Sequence, residues 1–211
     1  MEFIKENKEI AEVLKPDKHT FNFSFTGDMP APEKKYDVRT RPITEFIKEK
    51  IEYSSTYEER INQTPRENSD RGHWEGERGE STFIPKFPEI LDILNEYRID
   101  SIKYEDGIPD FSKTSESTVE IDNMTEKRQA NFEQCDQKCA EQWNEKGRDE
   151  KTDWTAGDVK QWRRDNNYSW HERNDMKTCD LVPTKINDFF GHVGGVSEYK
   201  KLKSEKGGFD E

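Results

Sequence analysis

The sequence predicts an α+β fold, mixed helices and short strands that end near the carboxy terminus in the order strand, strand, helix. Three observations carry that expectation. Apolar residues recur at helical spacing in several charged segments, they alternate over short runs in others, and clusters of Gly, Pro, Asn and Asp separate the two kinds. With 29% of 211 residues apolar, 38% charged and a mean hydropathy of −1.23, the chain is too polar for one large core. Part of it is therefore expected to be extended or loosely ordered.

In chain order, residues 2–15 place Phe3, Ile4, Ile10, Val13 and Leu14 near helical spacing, and Pro16 ends that short helix. FNFSF alternates as a strand does, and the Pro-rich run to residue 42 reads as loop. Ile43, Phe46, Ile47, Ile51 and Tyr57 fit a charged amphipathic helix over 43–61. Residues 62–81 hold almost no aliphatic side chain, and composition favours a linker over a functional loop. Residues 1–80 are accordingly read as a polar, partly ordered segment, and 81–211 as the folded domain.

The pattern then tightens. Phe83, Ile84, Phe87, Ile90, Leu91, Ile93 and Leu94 are the densest apolar cluster, with Pro85 and Pro88 suited to a helix start and the helix running to Tyr97. Ile99, Ile102 and Tyr104 read as a strand before the turn EDGIPDFS, and Val119–Ile121 as another. Met124 to Trp143 is expected as a helix capped by Thr125, with Phe132, Cys135, Cys139 and Trp143 near one face. Trp154 to Arg164 is a second helix, capped by Thr155 or Asp158.

Charge and cysteine content exclude some functions. The net charge is −12, with 27 acids against 18 bases in residues 1–120 and 19 against 16 in 121–211. A constitutive DNA binder needs a field of Lys and Arg, so nucleic-acid contact here must be local or metal-assisted. No apolar run approaches the ~18 residues that cross a bilayer, and the amino terminus lacks a signal-peptide core. Three cysteines, Cys135, Cys139 and Cys179, are too few for a disulfide scaffold and read as reduced, buried thiols. A zinc site built from them and a His is the less favoured alternative.

Chemistry concentrates between Tyr168 and Gly195, YSWHERNDMKTCDLVPTKINDFFGHVGG, which holds two of the four histidines. Tyr168–His171 and Thr178–Val182 read as strands joined by ERNDMK. Pro183 stops the second, Thr184 caps a helix over Lys185–Phe190, and Gly191, Gly194 and Gly195 end it. In such a hairpin His171 and Glu172 would lie opposite Asn187 and His192. Two imidazoles, a carboxylate and an amide oxygen suit one divalent ion with positions left for water and phosphate. A His titrating near neutrality is a natural base for activating that water.

The same stretch resembles the HNH/endonuclease VII superfamily, in the branch with a Trp-His-His or Trp-His-Glu signature. Its motifs stand here as Trp170-His171-Glu172, Leu181-Val182-Pro183, Asn187, His192 and Gly194-Gly195. RGHWEGERGESTFIP, YEDGIPDFS and WTAGDVKQWRRDN resemble the upstream half of longer members, so the likeness spans about residues 71–200. It implies a ββα-metal (His-Me finger) fold over 168–195 and a metal-dependent DNase acting on double-stranded DNA. The ion would be Mg²⁺, Mn²⁺, Zn²⁺ or Ni²⁺. It further implies a toxin tip of an interbacterial polymorphic toxin, delivered within a larger secreted protein into the target-cell cytoplasm and neutralised by a cognate immunity protein.

Within that resemblance the metal residues are His192, Asn187 and His171, and the catalytic residues His171 and Glu172. Either His171 is the base with Asn187 and His192 on the ion, or His171 ligates and Glu172 is the base; the first is favoured because imidazole suits proton abstraction at neutral pH. The family pattern has His where this chain has Asn187. An amide oxygen serves Mg²⁺ but replaces imidazole poorly on Zn²⁺. Another metal, a decayed site and a deliberate inactivation each account for that Asn. A catalytically impaired immunity-binding relative, an RNase on the same scaffold, and an acidic adaptor with an accidental site are the competing functions.

Arg163, Arg164, Arg173, Lys177 and Lys185 crowd this stretch in sequence and are candidate phosphate contacts, with a solvated face as the alternative. His73, beside Arg71 and Arg78, is a candidate substrate residue that composition reads more simply as an exposed His. Trp170, Pro183, Gly194 and Gly195 are assigned structural roles.

Overall fold

Among the described residues, seven strands form two antiparallel sheets, of order β1-β2-β3-β4 and β5-β7-β6. The computed structural model describes residues 53–207, and these belong to one unit, Glu49–Glu211. The elements are helix α1 (Tyr57–Gln63), strands β1 (Gly72–Trp74) and β2 (Thr82–Pro85), helix α2 (Pro88–Glu96), then β3 (Ile102–Glu105), β4 (Ile108–Pro109) and β5 (Ser117–Glu120). Helix α3 (Arg128–Lys146), a 3₁₀ turn, α4 (Ala156–Asp165), β6 (Tyr168–Glu172), β7 (Thr178–Pro183), α5 (Thr184–Phe189) and α6 (Gly195–Gly207) complete it. The α+β expectation holds.

The expectations for residues 2–15 and 16–42, and for most of the helix over 43–61, lie outside the described residues. What is described of the last differs: Tyr53–Thr56 is not helical, because Thr56 and Glu59 form a capping box that starts α1 afresh at Tyr57. The polar run 62–81 is not a plain linker. It contributes β1, the Trp74 indole donates to Pro65 O at 3.0 Å, and the Arg78 guanidinium donates to Ile61 O and Thr64 O at 2.8 Å each. Order there comes from side chains satisfying backbone carbonyls, which apolar content does not register. The boundary drawn at residue 80 thus falls inside a folded region.

Three smaller differences are local. Phe83 and Ile84 lie in β2, so α2 begins only at Pro88, where proline occupies a first-turn position. Thr125 does not cap α3; the cap residue is Lys127, whose N–H the Thr125 hydroxyl accepts. Thr184 is already helical, with Pro183 as the cap. The Thr155 cap of α4 is as expected, in a capping box with Asp158.

Strand β7 divides the two cores. Its residues Cys179 and Leu181 pack with Val119, Cys135, Cys139, Trp143 and Trp170 against α3 and α4. Val182 enters the other core, with Phe83, Leu94, Ile102, Tyr104, Phe111, Ile186 and Phe190. Alternation along one strand feeds both layers. All three cysteines are buried free thiols. Contact with Cys179 and burial push the Cys135 thiol up, and burial pushes Cys139 up to about 12.

Candidate functional site

Register decides which side chains can meet. In the β6–β7 ladder Trp170 pairs with Leu181, His171 with Asp180, and Glu172 with Cys179. Paired residues share a sheet face, so Trp170 and Glu172 face the α3 layer while His171 faces the layer of α5. The hairpin therefore separates His171 from Glu172. The expectation that all four of His171, Glu172, Asn187 and His192 converge is corrected to three.

Those three do meet. The His171 Nδ1–H donates to Asn187 Oδ1 at 3.2 Å, across from β6 to α5. The His171 and His192 rings are 4.6 Å apart between centroids at an interplanar angle of 73°. His192 Nδ1–H donates to Phe190 O at 2.7 Å, which fixes its tautomer. Both imidazoles thus keep Nε2 as a lone-pair donor. Phe111, after the EDGIPD turn, packs edge-on to both rings, at 4.9 Å from His171 and 5.7 Å from His192.

The glycines close the site from the α6 side. A Cβ on Gly195 would stand 2.3 Å from Arg173 O, so only glycine lets the start of α6 approach the β6–β7 turn. At Gly194 a Cβ would meet Glu172 O at 3.4 Å and His192 Nε2 at 3.8 Å. That close passage brings His192 alongside the end of β6.

The electrostatics favour neutral rings. Burial and then the neighbouring His192 hold His171 well below the ordinary imidazole range, against the Asn187 hydrogen bond. Burial also lowers His192, with Arg128 adding to the effect and the Phe190 carbonyl opposing it. Glu172 is raised by burial, opposed by Arg128 and Asn131. Its carboxylate accepts from Asn131 Nδ2 at 3.3 Å and lies 3.3 Å from Arg128 Nε.

His171 opens onto a cleft of about 210 Å³ that Tyr53, Pro109, Phe111, Arg173 and Asn174 help line, with Asp110 and Asp175 among its acidic residues. Of the predicted phosphate contacts only Arg173 lines that cleft, and it is bidentate to Asp180 at 2.6 and 2.8 Å. Arg163 is corrected outright. It is buried in the α3–α4 layer, paired with Asp136 at 2.8 and 3.0 Å, and Asp136 also accepts from the Trp170 indole at 2.8 Å. Lys177 pairs with Glu120 at 2.5 Å and Lys185 with Glu89 at 2.9 Å, both on the surface. Arg164 is exposed on α4, and His73 is exposed on β1 opposite Ile84. Pro183 pairs with Tyr168 at the end of β7, and Trp170 is buried, so both serve structure.

Two residues at the site were not singled out beforehand. Phe111 has only its place in the quoted segment YEDGIPDFS as a signal. Arg128 has none, since it reads as one base on the solvated face of a charged helix.

Among the described residues no group of three His, Cys, Asp or Glu side chains is close enough to hold a metal. A third protein donor would therefore be the Asn187 amide oxygen, whose second lone pair is left by His171. The His192 imidazole and the Asn187 amide oxygen, with His171 either as a third donor or left free as a base, fit a single divalent ion more weakly than three imidazoles would. The site is thus a buried neutral His171 beside a cleft, with a half-buried neutral His192 next to it, on a strand–strand–helix unit. Residues 101–194 match the family described as the DNase/tRNase domain of colicin-like bacteriocin. That segment runs from β3 to Gly194 and contains the whole triad, and the match supports a bacteriocin-like nuclease toxin domain. Among curated proteins no match was found. No helix among the described residues is long and apolar enough to cross a membrane.

Proposed function

We propose that this domain is a metal-dependent endonuclease that cleaves double-stranded DNA, carried as the toxin portion of a larger secreted protein into a target cell and held in check there by an immunity protein. The observation that carries the reading is the meeting of His171, Asn187 and His192 inside the segment that matches the nuclease-toxin family.

His192 Nε2 and Asn187 Oδ1 would hold a divalent ion. Bound there, it would neutralise charge developing on the scissile phosphate and the leaving oxygen. His171 is the base in this reading: Asn187 orients its ring through Nδ1, and Nε2 accepts a proton from the attacking water. A lowered pKa keeps His171 unprotonated at neutral pH. Phe111 walls both rings and limits water at the site. The acidic side chains of the cleft favour entry of a cation over unaided approach of a polyanion, which fits metal dependence.

The test is nicking of supercoiled plasmid with Mg²⁺, Mn²⁺, Zn²⁺ or Ni²⁺ against chelator, for this chain, Asn187→His and His171→Ala. Metal-dependent nicking, raised by Asn187→His and abolished by His171→Ala, is expected; equal cleavage by the parent and Asn187→His would count against the role given to position 187. Asn187 itself favours a second reading, a catalytically impaired relative that retains immunity-protein binding. An inactive parent with an active Asn187→His form would establish that one. Preference for RNA over DNA in the same assay would move the substrate to RNA.

A further inference from the structure

Two guanidinium groups are close enough to shift the site's imidazoles by their charge. Arg173 acts on His171, but Asp180 occupies it with two short hydrogen bonds and it is fixed in the sheet. Arg128 lies against the carboxylate of Glu172, the residue after His171, and the Glu172 carbonyl and His192 Nε2 both border Gly194. Arg128 is the first residue of α3, its side chain is 65% exposed, and its closest approach to Glu172 is Nε at 3.3 Å from the carboxylate. Among the described residues its terminal nitrogens make no hydrogen bond.

The partner is unusual in the opposite sense. Glu172 is 4% exposed, one residue beyond His171, on the face that register denies to the triad. Desolvating a carboxylate is costly unless it is paired and hydrogen-bonded. Here Asn131 supplies one hydrogen bond and Arg128 the countercharge. A buried carboxylate held by Asn131 orients the guanidinium it pairs with, and the exposed side of that group stays open to a second anion.

We propose that Arg128 grips a phosphate of the nucleic-acid substrate beside the His171–His192 pair, and that Glu172 is the positioning residue that aims it. The inference rests on the nuclease reading, and it assigns Glu172 a part other than base.

The experiment is binding of a short DNA duplex by the full chain in chelator, followed by fluorescence anisotropy across a range of salt. Each neutralised phosphate contributes about 0.9 to the slope of log affinity against log salt. Arg128→Ala should flatten the slope by about one unit and weaken binding on the order of tenfold at fixed salt. Arg128→Lys should restore the slope. In the nicking assay Glu172→Gln should raise KM while largely sparing kcat, whereas loss of a general base would lower kcat by about 10²-fold or more. An unchanged slope in Arg128→Ala overturns the inference while the nuclease reading stands. A parent chain with no salt-dependent DNA binding likewise overturns the inference, and absence of metal-dependent nicking by both the parent and Asn187→His overturns the nuclease reading.

Discussion

Asp136 joins three elements, and its removal has a calculable consequence. Its carboxylate accepts from Arg163 Nε, Arg163 Nη2 and Trp170 Nε1, at 2.8, 3.0 and 2.8 Å. Asp136→Ala would leave the Arg163 guanidinium buried with no countercharge, which costs about 3–5 kcal/mol. For a domain of this size each kcal/mol lowers Tm by roughly 2–4 °C, so a fall of about 6–20 °C is expected. Trp170→Phe removes one hydrogen bond to a charged group, about 1.5–3 kcal/mol, and should fall by proportionately less. Asp136→Ala with Arg163→Met should recover part of the loss, because the stranded charge goes too. Thermal denaturation followed by circular dichroism measures all three. A Tm for Asp136→Ala within about 2 °C of the parent would refute the reasoning. Arg163→Met that lost DNA binding at unchanged Tm would return Arg163 to the substrate contacts from which its burial removes it.

Gly195→Ala should destabilise by about 1–3 kcal/mol, since the new Cβ meets a backbone oxygen at 2.3 Å, while Gly194→Ala, at 3.4 Å, should be tolerated better; denaturant titration separates them. Thr155→Ala should cost about 1 kcal/mol by loss of the α4 cap, read in the same titration. The Glu59 carboxyl is lowered to about 2 by its hydrogen bonds from Lys201 and the Thr56 backbone. A depressed folded-state pKa gives stability that is present above the ordinary value of 4.5 and is withdrawn as pH falls towards 2. Glu59→Gln should therefore differ from the parent in Tm at neutral pH and converge with it in acid.

The strand–strand–helix order was legible because Pro183 and Gly194-Gly195 punctuate it, and the Tyr168–Glu172 and Thr178–Pro183 runs are short. The split of His171 from Glu172 was legible in principle, since neighbours on a strand face opposite ways; a composition of donor types alone obscured it. Arg163 was not legible. Its partner Asp136 lies 27 residues away on another helix, and a local cluster of bases looks alike whether it is solvated or buried. Nor was the order of residues 62–81, where Trp74 and Arg78 hold the backbone through carbonyls that no hydropathy pattern records. Arg128 depended on the placement of Glu172, which only the register supplies.

Ser55 and Glu198, 143 positions apart, share a buried junction: the Ser55 N–H reaches one Glu198 oxygen at 2.8 Å, its hydroxyl the other, and Asn174 Nδ2 donates at 2.9 Å. Glu198 is fully buried, and Asn174 belongs to the β6–β7 turn beside the triad. A shortened protein beginning at residue 81 would retain every residue of the triad yet lose two of the three donors that keep this carboxylate in place. If the proposed nuclease reading holds, the smallest active piece would be set by a serine upstream of α1, and trimming to the matched segment would yield a chain with His171, Asn187 and His192 present and their frame unfastened.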